Sequence, residues 1–315
     1  MARWFKIGSI TSVSPHSFKS NRLPDLNYCI YCGDTGGSLT EEHIVPLALG
    51  GDLTVGRASC QKCQTVINEE VETKALRQMF LPWRTIENYP TRNPKRRQKF
   101  FDVEIGHPDG ARFETEKTVR VPAEDFPRAI ALPSFWKPPG ILTSRRYSSG
   151  WDGKMWWAID GESLKAFEKK YGGWPTFMHS VTEVYFRQLA KIAHCFIFAN
   201  PDCKDDYRPL LVDTIMGRDH SYDFWMGLDE NPGAAQPEAN LFRIRADIIE
   251  KYMVVSVSLF HGVGEPDIQI VVGERRDSDR APRVDYDVLS VEVGYSSSAE
   301  LWNLQRQDAN SCRAS

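Results

Sequence analysis

At 315 residues, with 41% hydrophobic and 26% charged side chains, the chain has the composition of an ordinary globular protein and the length for about two domains. A formal net charge of -3 and a pI near 6.2 exclude a globally basic nucleic-acid binder, so any such contact must rest on a local patch. The opening MARWFKIGSITSVSPHSFKS has no long apolar run and does not read as a signal peptide, and no stretch approaches the roughly 18 uninterrupted apolar residues of a membrane span.

Residues 1–27 read as a mixed leader with no assigned role. Next come two C-x-x-C pairs, Cys29/Cys32 and Cys60/Cys63, separated by about 27 residues. Each pair on a tight knuckle presents two sulfurs on one side, so the four thiolates can close one tetrahedral Zn²⁺ site. Cys195, Cys203 and Cys312 have no partner by spacing, which favours a reduced, cytoplasmic compartment with a metal site over secreted disulfides. Between the pairs, Gly33-Asp34-Thr35-Gly36-Gly37 is turn chemistry, and Leu39 to Val45 reads as a short strand that Pro46 stops. Gly50-Gly51-Asp52 turns again into a second short strand, Leu53-Thr54-Val55. From Cys60 to about Phe80, Ile67, Val71, Ala75 and Met79 form one apolar stripe with Leu76 and Phe80 alongside, Glu70 and Lys74 make an i,i+4 pair, and Pro82 ends the helix. The unit is strand, strand, helix. It encloses Glu41-Glu42-His43, a histidine directly preceded by carboxylates.

The order C-x-x-C, then EEHIVPLALGG, then ASCQKC opening a helix resembles the HNH endonucleases, the zinc-braced branch of the ββα-metal nucleases, over about residues 28–80. The resemblance implies His43 as general base, Glu42 as ligand of a catalytic Mg²⁺ or Mn²⁺, and Gln64 at the position of a further helix ligand. It also implies that DNA is the partner. Chemically the roles are apt. An imidazole titrates near neutrality, and carboxylate or amide oxygens suit a hard cation, whereas thiolates suit zinc. The chain departs from the family in carrying Gln64 where Asn is usual, so Asn68 or Glu72, farther along the same helix edge, are alternatives. The Asn that orients the histidine is missing before Cys60, leaving a backbone carbonyl or Asp52 for that task. The competing reading is a non-catalytic zinc finger that binds nucleic acid or a protein.

Residues 92–99 carry Arg92, Lys95, Arg96, Arg97 and Lys99 without an acid, a candidate phosphate-contacting run and also the expected linker between domains. The domain reading is therefore 28–90 for the nuclease unit, 91–99 for the linker, 100–304 for a second domain and 305–315 for a polar, disordered tail. In the second domain, Phe101-Val103-Ile105 and Phe113-Val119-Val121 suggest a hairpin. Arg145-Arg146 among Trp151, Trp156 and Trp157 suggests core more than a base-stacking platform. Phe177 to about Ala199 has helical spacing, with His179, His194 and Cys195 read as packed side chains. A helix over Asp205 to Met216 and strands at Phe224–Gly227, Leu241–Ile244, Met253–Phe260, Ile268–Val272 and Val288–Val293 complete an α+β domain with a largely antiparallel sheet. By position this domain is expected to select DNA, bind an activating ligand or form a homo-oligomer. The last two roles fit a bacterial defence effector by family-level analogy alone.

Overall fold

A computed structural model describes residues 6–8, 21–89, 91, 93–109, 112–175, 182–230, 240–276 and 290–294. His179, Arg92, Cys312 and the polar tail lie outside the described residues.

The N-terminal unit is built on a three-stranded sheet in which Leu53–Cys60 is central, antiparallel to Leu39–His43 and parallel to Asn21–Leu23. The central strand is longer than the three residues read from the sequence and runs directly into Cys60. It can do so because it bulges. Pairing jumps from Thr40 opposite Ser59 to Glu42 opposite Val55, and Arg57 takes a left-handed φ of 49° inside the bulge. Gly56 beside it lets the Asp25 carboxylate and the Arg22 guanidinium pack close over the backbone, a Cβ there lying 1.9 Å from an Asp25 oxygen. The helix that follows is α-helical over Gln61–Ile67 and widens into π turns over Asn68–Glu72 and Ala75–Met79. Pro82 does more than end it. It stands in the first turn of a new helix, Leu81–Ile86, where its missing N–H costs nothing.

The remainder is α+β. A six-stranded sheet contains Asn240–Ile249, Tyr252–Ser258 and Ile268–Arg275 at its centre, and every pairing in it is antiparallel. Two smaller sheets hold the hairpin Phe100–Asp109/Arg112–Pro122 and the pair Ala129–Phe135/Gly153–Asp160. Two expected elements differ. Asp205 to Met216 is broken into short helices Pro201–Asp206 and Val212–Ile215 around a strand, Tyr207–Pro209, because that strand pairs with the edge of the sheet. Phe224 and Trp225 close a helical turn, and the strand starts only at Met226. Among the described residues no helix is long and apolar enough to cross a membrane.

The helix Thr182–Phe198 organises the rest, being buried on all sides from Val184 to Phe198. One side meets the sheet, and the other meets the N-terminal unit. Phe80, at the end of the helical segment that follows Cys60, packs edge-on against Tyr185 and at a tilt against Phe260, so one apolar core runs from Tyr28 to Val272. Trp151 packs on it, its ring tilted against Phe186 and its indole N–H donated to the Ser134 carbonyl 3.1 Å away, and Arg145 donates to the Pro138 carbonyl.

Glu265 ties the helix to the sheet, accepting from the Tyr185 hydroxyl and, at 2.7 Å, from the Phe260 N–H. Burial raises its carboxyl from 4.5 to about 7 despite those hydrogen bonds. A carboxyl raised on folding contributes fully below its unfolded value and loses that contribution as the pH rises through the folded one. Stability is expected to fall by up to about 3 kcal/mol over that window. Glu265→Gln is expected to flatten the fall, as denaturant midpoints on either side of the window will show. An unchanged slope would place the pH dependence elsewhere.

Candidate metal centre and active site

The zinc-ready knuckle is assembled from the turn after Cys29 and the start of the helix Gln61–Ile67. Gly33, at φ 78°, lets the first turn close, with the Gly33 N–H on the Cys29 carbonyl at 2.8 Å. All four sulfurs lie within 4.8 Å of one another, and none is in a disulfide. Cys32 and Cys60 Sγ are 3.7 Å apart, against about 3.8 Å for the edge of a tetrahedron with metal–sulfur bonds of about 2.3 Å. The site fits zinc. Burial acts to raise the Cys60 thiol, but the Cys63 backbone N–H and the neighbouring thiols outweigh it and leave the pKa lowered, whereas burial raises the Cys29 and Cys63 thiols.

Glu42 and His43 end the strand Leu39–His43. Glu42 is only 5% exposed and faces the fully buried Lys191 of the long helix at 2.8 Å. Glu72, from the π turn, reaches the same ammonium at 2.9 Å. Lys191 also donates to the His43 carbonyl and lies 3.4 Å from that of Ile44. Burial raises the Glu42 carboxyl, with Lys191 opposing and Glu72 adding to the rise. His43 itself is half-buried and pairs with Thr54 across the sheet.

Of the helix candidates, Glu72 is brought beside Glu42, Gln64 is half-buried one turn into the helix, and Asn68 is exposed. Two carboxylates against one ammonium leave an excess negative charge, and an all-oxygen donor set is suited to a hard divalent cation. In the basic run, Lys95, Arg96 and Lys99 are exposed. Arg97 is committed inward, donating to the Arg84 and Tyr89 carbonyls at 3.1 and 2.7 Å.

Lys191 escaped sequence reading because its position is that of a solvent-side residue on an amphipathic helix. Its neighbours on that side also grip the knuckle. His194 is buried with Nε2 2.9 Å from the Ile30 carbonyl, and Cys195 Sγ is 3.0 Å from the Tyr31 hydroxyl, both contacts falling inside the first C-x-x-C.

Fold and donor set together define a domain whose four clustered cysteines could bind zinc, with Glu42 and His43 on the strand between the two pairs. Residues 29–80, roughly a sixth of the chain, match the family model described as HNH endonuclease. No curated protein and no solved structure matched the chain.

Proposed function

We propose that the chain is a metal-dependent HNH DNA endonuclease. The observation that carries this reading is that Glu42 and Glu72 meet at Lys191, which also bonds the backbone carbonyl of His43, in the segment that the four clustered cysteines bracket. In it, His43 takes a proton from water, the water oxygen attacks phosphorus, and the 3′ oxygen leaves with its electron pair. Bound Mg²⁺ or Mn²⁺ supplies neutralisation of charge on the phosphate and on that oxygen. Glu42 would hold the cation with one helix residue. Proximity to Glu42 supports Glu72 over Gln64 and Asn68. The ammonium of Lys191, which already balances part of the carboxylate charge, is what favours the alternative, a non-catalytic zinc module. Incubation of the zinc-loaded chain with supercoiled plasmid separates the two. Nicking is expected with added Mg²⁺ or Mn²⁺ and not without, and silence in every metal and salt condition would return the protein to the alternative.

The exposed Lys95, Arg96 and Lys99 are proposed to contact phosphates. Replacing all three by Gln is expected to weaken binding to unrelated DNA sequences alike and to lower the slope of log K against log salt by roughly 0.9 for each phosphate that is no longer neutralised. Arg97→Ala, in contrast, is expected to lower stability, because it removes one donor from each of the Arg84 and Tyr89 carbonyls. An unchanged salt slope in the triple variant would make the run a linker only.

A further inference from the structure

We propose that Lys191 is the positioning residue of this centre: a cation built into the long helix that holds Glu42 and Glu72 side by side and pins the backbone of His43. The centre is then complete only when the C-terminal half packs on the zinc domain. This rests on the nuclease reading above.

Three observations carry it. Lysine is almost never fully buried without partners, and Lys191, at 0% exposure, lies where its helix neighbours Ala190 and Ile192 are equally buried. Its ammonium is met by groups from separate places: Glu42 on the strand and Glu72 on the π turn, both at ion-pair distance, and the carbonyl of His43, to which it donates. A buried cation shared by two carboxylates is seldom better for stability than a well-packed apolar side chain, so its use here points to placement of those groups. Without the ammonium, the two carboxylates repel each other. His194 and Cys195 supply the register, because their contacts with Ile30 and Tyr31 lock the helix against the knuckle and so set where Lys191 stands.

The test compares wild type with Lys191→Met in the full, zinc-loaded chain, using Mn²⁺ as the probe. Removing the ammonium exposes both carboxylates to the divalent ion, so Mn²⁺ is expected to bind about tenfold more tightly by titration calorimetry. Plasmid cleavage at saturating Mn²⁺ is expected to drop by about 10²-fold, as misplaced groups allow. Tighter metal with reduced turnover is a split that a purely structural lysine does not produce. Lys191→Met cutting within about threefold of wild type, with Mn²⁺ affinity unchanged, would overturn the proposal. Should Lys191→Met fail to fold, Lys191→Met/Glu72→Gln removes one of the opposed charges, and its cleavage is compared with Glu72→Gln alone. A double variant no slower than Glu72→Gln supports action through Glu72, while losses that multiply overturn it. If wild type never cuts DNA but the Mn²⁺ difference persists, the nuclease reading fails, and Lys191 remains the cation that places the carboxylates.

Discussion

Cys60→Ser is expected to yield a chain that holds no stoichiometric zinc and whose cooperative melt is abolished or shifted far down. A structural zinc contributes about 10–16 kcal/mol of apparent binding free energy to such small domains, as much as the entire stability of most proteins. Cys60 is an exacting place to remove a ligand. It closes the strand Leu53–Cys60 and caps the helix Gln61–Ile67, so one sulfur couples sheet, helix and knuckle. The damage is expected to spread beyond residue 80, since Ile30 and Tyr31 of the same knuckle are bonded to His194 and Cys195 and share the main core. Elemental analysis on the purified chain should therefore find about one zinc in wild type and none in the variant. Calorimetry should show one transition weakened throughout, not the disappearance of an N-terminal step alone. A zinc-free wild type with the same melt as the variant would remove the metal from the account.

His43→Ala is expected to behave in the opposite way, with zinc content and melting close to wild type and cleavage lower by about 10²–10⁴. Side-chain removal leaves the backbone of residue 43 in place, where its carbonyl accepts from Lys191 and its strand pairs with Thr54. A half-buried imidazole contributes little packing compared with the apolar core around it. Glu42→Ala is not a clean companion, because it leaves Lys191 buried short of a partner, a change that costs about 3–5 kcal/mol in typical cases. Glu42→Gln keeps a hydrogen-bonding side chain of the same shape and is the variant on which loss of the divalent ion can be read. Cleavage by His43→Ala at the wild-type rate would make His43 structural and withdraw the main support for hydrolysis.

The local signals were strong where chemistry depends on spacing along the chain. Two C-x-x-C pairs, a Glu-His pair between them and an apolar stripe after Cys60 sufficed to place the knuckle, the strand and the helix, because each needs only neighbours in sequence. The antiparallel sheet was legible for the same reason, from short β-branched runs between turns. What only the tertiary structure decided is the far side of the long helix. Helical periodicity marks an apolar stripe and leaves Lys191 on the polar side, which in an isolated amphipathic helix faces water. Here that side faces the zinc domain, and partners some 150 positions away in sequence make burial of a charge tolerable. The π turns likewise depend on packing, and it was at the first of them that Glu72, not Gln64 or Asn68, came to stand beside Glu42. No periodicity in one sequence records such a meeting, since the energy that selects it exists only once both halves have folded against each other.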